Sequence, residues 1–501
     1  MTTNTIKMKN RFPKQLLIAL PLAITLAGCG DFLEKLPENK VEIESVDYSK
    51  TTDMYMPVSG VYASGREKLA SWMFYGALMV RGDDVDKGGS VTDQIEYTYA
   101  SQFQNDKLAS FWALDSSWGN LYAMVSIANS ALISLDKYAE YITAETDKTL
   151  YTQYGAEVRF FRALAYFHLV NLWGDVPLLR DNQELNLFKS KKEDVLNYLY
   201  EELDFCIAHL PALRPNESAH PGAVTKYTAE ALKAKLKMYA NEWEEVRSLT
   251  HDIIASGKFE LYPDFYELFK IPGKLCNESL LEFQFTDFGT GSGDIVQSDQ
   301  WFNFQGPRNA KAPISGWAFM AATDKIRKLF KDRGETVRDE TTFLLAGATT
   351  RSGDAIDPVS VEGEPSAYNG KAYTPANQMT EGRTTYGDNN NIRVIRYADV
   401  LLMNAEANVR LGQNGDAPLN QVRQRAGMAP LTGATLDQIL EERQVELALE
   451  WGERYYDLVR TDRAAAELPG FVKGKTEYYP IPLNQIDLNP NLAEAPASAT
   501  E

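Results

Sequence analysis

Three aspartates in a glycine-flanked segment are the first residues whose types and spacing could do chemistry. Asp83, Asp84 and Asp86 lie between Gly82 and Gly88. Clustered carboxylates could accept hydrogen bonds from sugar hydroxyls, or hold a calcium ion, which prefers several oxygen ligands. The alternative is a solvated polar turn that binds nothing. We take Asp83 and Asp84 as candidate ligand-binding residues.

Glutamates crowd a later segment, and a glycosidase needs only two carboxylates. Glu441, Glu442, Glu446, Glu450 and Glu453 fall on one predicted helix with arginines between them. This spacing favours ion pairs along or between helices over an acid/base pair across a cleft. The sequence has no zinc-helix, serine-elbow or Cys-x-x-Cys motif, and its four histidines are scattered singly. We therefore predict no catalytic residue and no cofactor and assign no metal ligand, and a calcium ion at the three aspartates stays an open alternative.

Aromatic residues form the more informative group, with 8 Trp, 26 Tyr and 22 Phe. Several fall in apparent loops or near a helix start: Tyr97, Tyr99, Trp112, Trp301 and Trp317. A flat exposed ring can cover the C–H face of a sugar while nearby amides and carboxylates bind its hydroxyls. Packing in the core is the alternative for each residue. It applies most to Trp317, which precedes a predicted helix.

Trp301 is the preferred stacking candidate among the tryptophans. Gln300, Asn303 and Gln305 are interspersed with Trp301, Phe302 and Phe304. These amides could bind the edge of a sugar whose face lies on the indole ring. We expect this segment to be an exposed loop.

The N-terminus carries several basic residues, then an uncharged run from Leu16 to Ala27, and then Cys29. This order is typical of a bacterial secretory signal, and the run is shorter than the ~20 residues of a membrane-spanning helix. Leu26-Ala27-Gly28-Cys29 resembles the lipobox of bacterial lipoproteins. It predicts that residues 1–28 are removed and that Cys29 is acylated. The alternative is an ordinary secreted protein in which Cys29 merely lies near the cut.

Composition restricts the partners of the mature chain. The net charge of −18 disfavours nucleic acid and anionic lipid surfaces. Only Cys206 and Cys276 remain after the signal, so no disulfide framework is expected. No long apolar stretch follows the signal. We expect a soluble body that is attached to a membrane through its lipid anchor only.

Hydrophobic periodicity predicts helices from about residue 108 to 258. The last two of these helices are joined by a short turn and look like tetratricopeptide-type units, although no repeat of constant period is found. The predicted helices are Glu157–Trp173, Lys191–Leu210, Thr225–Tyr239 and Trp243–Ser256.

Residues 259 to 390 are richer in glycine, proline and small polar residues, and predict loops with short strands such as Leu280–Phe285. Helical order is predicted again over Asn391–Leu411 and Thr435–Arg460. The fold class is therefore mainly all-α, with tetratricopeptide-like helix pairs, long loops and a few short strands. We divide the mature chain into regions 29–258, 259–390 and 391–501.

Several segments together resemble the SusD/RagB family of outer-membrane lipoproteins from Bacteroidetes. One departure lies between Leu411 and Asn420, which is shorter than usual and contains Pro418, so the geometry of the helix pair at this place is open. The segments that carry the resemblance are Asp31-Phe32-Leu33, Trp118–Asn129, Glu157–Pro177, Arg396–Ala407, Glu442–Arg460 and Pro480–Pro490.

The resemblance implies a SusD-like fold and a protein that binds oligosaccharides or another nutrient without hydrolysing them. It also implies a location on the outer face of the outer membrane and a TonB-dependent, SusC-like transporter as partner. A surface glycoside hydrolase and a helical-repeat scaffold that binds only protein are the alternatives. The charged motif residues are expected to be structural: Glu157, Arg159, Arg162, Asp175, Arg396, Glu406, Glu446 and Arg454.

Overall fold

Helices dominate the part of the chain that the computed structural model describes, which is residues 46–183, 187–286, 300–360, 363–379 and 389–496. The helical share is 54% and the strand share 7%, which confirms the predicted mainly-α class. Its α-helices are α1 (Met56–Leu69), α2 (Trp72–Met79), α3 (Glu96–Ser101), α4 (Trp112–Ala139), α5 (Glu145–Trp173), α6 (Lys192–His209), α7 (Lys226–Tyr239), α8 (Trp243–Ala255), α9 (Phe265–Leu268), α10 (Trp301–Gln305), α11 (Asp324–Arg333), α12 (Val337–Thr342), α13 (Tyr397–Arg410), α14 (Asp416–Arg425), α15 (Leu436–Glu446), α16 (Glu453–Arg460), α17 (Ala464–Glu467) and α18 (Leu483–Leu488).

Six short strands pair into three antiparallel ribbons among the described residues. β1 pairs with β3, β2 with β6 and β4 with β5. The strands are β1 (Val85–Gly88), β2 (Ser279–Phe283), β3 (Phe319–Ala322), β4 (Phe343–Leu345), β5 (Ala367–Asn369) and β6 (Ile392–Arg396).

The long helices pack in chain order, each on the next, from α4 to α8. The next helix against α8 is α13, although residues 256 to 396 separate the two in sequence. The loop-rich region is therefore an insertion between two neighbouring helices of one stack. This insertion is one reason why no constant repeat period appears in the sequence. The three regional boundaries remain a prediction.

Two segments that were predicted as single helices are not continuous helices: one begins with a strand and the other is divided into two helices. Ile392–Arg396 is strand β6, which is rich in β-branched residues and pairs with β2. The helix predicted over Thr435–Arg460 is broken between α15 and α16. Gly452 adopts a left-handed φ of 71°, and a Cβ there would lie 2.7 Å from the carbonyl oxygen of Leu78. That close approach requires glycine at the residue that precedes α16, six residues after α15 has ended at Glu446.

The shortened segment around Pro418 keeps the helix pair. α14 begins at Asp416, so Pro418 lies in its first turn, where a missing N–H costs no intrahelical hydrogen bond. α14 packs on α13. The carboxylate of Asp416 accepts hydrogen bonds from the backbone N–H groups of Gly433 (2.8 Å) and Ala434 (2.9 Å). These bonds fix the end of the loop that joins α14 to α15.

Buried arginines hold the C-terminal helices and the insertion together. Arg396 is 2% exposed and contacts Glu278 (2.5 Å), Glu446 (3.0 Å) and Glu450 (2.6 Å). Burial alone would raise the pKa of Glu446, but Arg425 and its neighbouring guanidiniums outweigh it and lower that pKa to about 2. The carboxylate therefore stays ionised inside the protein.

The other motif residues predicted as structural also have buried or half-buried partners. Arg159 and Arg162 both bind Glu202, at 2.6 Å and 2.7 Å. Glu406 binds Arg460 at 2.7 Å. The carboxylate of Asp175 accepts a hydrogen bond from the backbone N–H of Lys192 (2.8 Å) at the start of α6.

Glu157 differs from the other acidic motif residues, because the side chains that donate hydrogen bonds to it are neutral. It accepts hydrogen bonds from the Tyr62 hydroxyl (2.8 Å) and the Gln153 amide (3.0 Å). Burial raises the pKa of this carboxyl to about 7. Its role in holding α1 against α5 is still structural.

Replacing Glu446 by alanine should lower the free energy of unfolding by about 3–5 kcal/mol, because it leaves buried arginines without a carboxylate. Asp437→Ala is the matched control on the same helix, since its partner Arg463 and its own carboxylate are exposed. That variant should lose less than about 1 kcal/mol. Urea unfolding measures both. Equal losses in the two variants would contradict the assignment.

Candidate ligand-binding site

Three tryptophans from distant parts of the chain form an exposed aromatic cluster. We define the aromatic cluster as Trp72, Trp112 and Trp317. The ring centroids of Trp72 and Trp112 are 5.4 Å apart, and those of Trp72 and Trp317 are 5.9 Å apart, both edge to face. Trp112 is 43% exposed, and the other two rings are half-buried. The cluster thus presents indole surface to solvent on a rigid base.

Helix starts position two of these rings. Trp72 is the first residue of α2 and Trp112 the first residue of α4, each after a residue with extended backbone. Phe111, which precedes Trp112, is buried against Tyr97 with centroids 5.0 Å apart. The core contact of Phe111 therefore anchors the backbone on which Trp112 stands.

The antiparallel pairing of β1 with β3 brings the third ring to the other two. The backbone N–H of Trp317 donates to the carbonyl of Asn303 in α10 (2.6 Å). Strand β3 follows and pairs with β1, with Phe319 opposite Gly88. The backbone N–H of Gly89 donates to the carbonyl of Ala318 (2.7 Å). Trp317 is thereby tied to the segment that follows β1.

Polar groups of that segment border the cluster. The indole Nε1 of Trp112 donates to the side-chain oxygen of Gln94 (3.1 Å). Lys87 donates to the carbonyls of Ser90 (2.7 Å) and Asp93 (2.9 Å), which closes the loop that carries Gln94. The arrangement combines partly exposed indole rings with the side-chain amide of Gln94, whose nitrogen donates to the Asp93 carboxylate (3.5 Å). It matches the needs of a ligand that is apolar on its face and rich in hydroxyls on its edge.

The structure buries Trp301, so the expectation of an exposed loop is wrong. The residue lies in α10 and is 8% exposed. Its ring centroid is 3.8 Å from that of Tyr75 and 5.2 Å from that of Trp451. Phe302 and Phe304, which flank it, are also buried. In this position the indole packs in the core against Tyr75 and Trp451 and is not part of an exposed loop.

The two tyrosine candidates lie on helix α3 and not on a loop. Tyr97 is fully buried, and its hydroxyl donates to the carbonyl of Met73 (3.1 Å). Tyr99 is half-buried, with the Lys107 ammonium 4.4 Å from its ring centre. Tyr97 therefore supports the cluster through Phe111, and only Tyr99 keeps an accessible edge.

The two candidate aspartates are turned to the interior, and Asp83 engages in ion pairs within the protein. Asp83 contacts Arg454 (2.6 Å) and Lys325 (2.5 Å). Asp84 is 3% exposed, and burial, aided by the neighbouring Asp83, raises the pKa of Asp84 to about 6. The Asp83 carboxylate thus holds the start of β1 against α16 and α11. Within the described residues, no group of three or more His, Cys, Asp or Glu side chains could hold a metal ion.

Trp72 is the member of the cluster that the sequence did not reveal. It opens an apolar helix, as Trp112 does, and such a position at a helix start is the one available signal. Of the predicted residues, the structure brings Trp112 and Trp317 together. Cys29, the predicted acylation site, lies outside the described residues.

Comparison with known proteins places the chain in a family. One family model, described as starch-binding associating with outer membrane, matches residues 31–235. A second, described as SusD family, matches residues 362–475. The chain belongs to the SusD family. Its members are non-catalytic, so this SusD-family protein is not an enzyme.

Individual relatives agree over most of the chain. A SusD-like protein of Bacteroides ovatus is 24% identical over 481 residues, covering 89% of this chain and 82% of the relative. A solved laminarin binding SusD-like protein is 26% identical with a TM-score of 0.77, covering 89% of this chain and 99% of that one. Surface glycan-binding protein A from Bacteroides thetaiotaomicron, solved in complex with laminarihexaose, is 23% identical with a TM-score of 0.73 and covers 86% and 97%. It shows the same fold.

Replacing Trp301 by alanine should cost about 3–5 kcal/mol of folding stability, because it opens a cavity beside Tyr75 and Trp451. Trp112→Ala removes a similar side chain from the surface and should change stability by less than about 1 kcal/mol. Chemical unfolding of both variants measures the difference. A stable Trp301→Ala protein would contradict the core assignment.

Proposed function

We propose that this protein captures oligosaccharides at the cell surface with the aromatic cluster. The observation that carries the proposal is the meeting of three partly exposed tryptophans from separate chain segments, with centroids 5.4 Å and 5.9 Å apart. Exposed indole rings supported by a rigid base bind the C–H faces of sugars with little loss of conformational entropy. Gln94 and the neighbouring Asp93 are the candidate hydrogen-bond partners for sugar hydroxyls at the edge of the same surface.

The relatives support a saccharide as the ligand. The solved protein at 26% identity is named for laminarin binding, and a second structure with the same fold holds laminarihexaose. Laminarin-type oligosaccharides are therefore the first ligands to test. A helical scaffold that binds only protein is the remaining alternative, and it predicts no binding of soluble saccharide.

The proposal includes a lipid anchor and a transporter. We infer that residues 1–28 are a signal peptide, that Cys29 carries acyl chains, and that the anchored protein faces outward on the outer membrane. One matching family model is described as associating with the outer membrane. None of the described helices is both long and apolar enough to cross a membrane. The captured oligosaccharide would pass to a TonB-dependent, SusC-like transporter.

Trp112→Ala should weaken the binding of laminarihexaose by about 1–3 kcal/mol, or roughly five- to 150-fold, because a large stacking surface is lost. Trp243→Ala is a matched control, since Trp243 starts helix α8 outside the cluster and packs under Arg410, 4.6 Å from its ring. Calorimetry with full-length protein measures the affinities. If the wild-type protein binds no member of a panel of neutral oligosaccharides, or if Trp112→Ala and Trp72→Ala retain full affinity, the proposal is wrong.

Cys29→Ser should abolish the attachment of the protein to membranes, because acyl chains supply the only anchor in the proposal. Membrane fractionation and labelling with a fatty-acid probe measure this effect, with the wild-type protein as the positive control. Absence of label on wild-type protein, or membrane retention of the serine variant, would refute the anchor.

A further inference from the structure

A second concave site lies far from the aromatic cluster along helix α4. Its volume is about 490 Å³, within the about 300–1,000 Å³ range of small-molecule pockets. Leu132 and Leu135 of α4 form one wall, whereas Trp112 stands at the other end of that helix. Twenty residues of α-helix separate Trp112 from Leu132, which corresponds to roughly 30 Å. The two sites are therefore distinct.

Three arginines line this pocket, which we call the arginine pocket and define by Tyr151, Gly155, Arg159, Arg162, Arg180 and Phe205. Two of them are held in fixed orientation. Arg162 binds Glu202 at 2.7 Å and the Asn129 side-chain oxygen at 2.7 Å. Arg159 binds the other oxygen of Glu202 at 2.6 Å, and its side chain is still 34% exposed.

Arg180 is the least engaged of the three. Its guanidinium lies 5.0 Å from the Tyr198 ring centre, and it forms no ion pair with any described residue. Among the described residues that line the pocket, Asp136 is the one that carries a carboxylate, and it already accepts a hydrogen bond from the Tyr151 hydroxyl (2.7 Å). Glu202 is the carboxylate that binds Arg159 and Arg162. The pocket thus keeps a net positive charge in a chain whose net charge is −18. A local excess of guanidinium groups attracts a carboxylate or sulfate.

The rest of the lining fits a ring that carries such a group. Leu132 and the Phe205 ring supply apolar surface, with Leu135 buried behind them, and Tyr151 and Thr152 supply hydroxyl groups. Gly155 occupies the middle of α5, where glycine is a poor helix former. A Cβ at Gly155 would meet no atom within 4 Å, so packing does not require glycine there. Its effect is to leave the floor of the pocket open.

We propose that the arginine pocket binds an acidic saccharide unit, through a carboxylate or sulfate group on Arg180 and Arg159. The binding of an anion does not depend on the proposed function. Only the inference that the anion belongs to a saccharide rests on the proposed function. The sugar ring lies against Phe205 and Leu132 of α4. The arginine pocket therefore selects for a negatively charged sugar unit, whereas the aromatic cluster selects for the flat face of a neutral sugar ring.

Calorimetry on the full-length protein tests the proposal with three probes at constant ionic strength: sodium glucuronate, methyl β-glucoside and inorganic sulfate. Glucuronate should bind, and methyl β-glucoside should not bind in the pocket. Arg180→Ala should weaken glucuronate binding by about tenfold or more, because a charge-assisted contact is lost. Gly155→Leu should abolish it by filling the pocket. Arg463→Ala removes a partly exposed arginine elsewhere and should change the affinity less than about twofold.

Several outcomes would overturn the proposal. Binding of sulfate without binding of glucuronate would make the pocket a site for inorganic anions only. Glucuronate binding that is unchanged in both Arg180→Ala and Gly155→Leu would place the ligand elsewhere, and dependence on Trp112 would place it on the aromatic cluster. If glucuronate binds through Arg180 while neutral oligosaccharides do not bind at all, the proposed function fails and the anion pocket stands.

Discussion

Buried positive charge is the constraint on which the arrangement of the chain depends. Arg338, Arg396 and Arg443 are among the largest fully buried side chains of the described residues. A desolvated guanidinium is costly unless carboxylates surround it, so each arginine forces acidic residues from other segments into its vicinity. Glu278 from the insertion and Glu446 from α15 meet at Arg396 for this reason. The ion pairs thereby specify how the insertion docks on the helical stack.

This docking also creates the aromatic cluster. The stack alone contributes Trp112, at the start of one of its helices. The insertion adds Trp317, which its backbone bonds to α10 and β1 hold in place, and the N-terminal helices add Trp72. Because each ring stands on a regular element or next to a paired strand, the surface is preorganised, and a ligand need not order it. A loop-borne site would lose more conformational entropy on binding.

The aromatic cluster and the arginine pocket would respond differently to their surroundings. Stacking on indole rings depends on apolar contact and is little affected by salt, whereas attraction to exposed guanidiniums weakens as ionic strength rises. Both sites use the same helix, α4, at opposite ends. A polymer with both neutral and acidic units could therefore engage the protein at two places at once. Such double attachment raises the effective affinity without any change in either site.

The sequence by itself determined the helical class, the positions of most long helices, the family resemblance and the structural role of its motif arginines. These features depend on local periodicity or on residues that recur in a fixed order. Only the tertiary structure decided which aromatic residues face solvent. Trp301 is buried and Trp72 belongs to the cluster, because burial depends on which distant segments pack against a ring. For the same reason Asp83, which looked like a ligand-binding residue, pairs with Arg454, a partner 371 residues away in the chain.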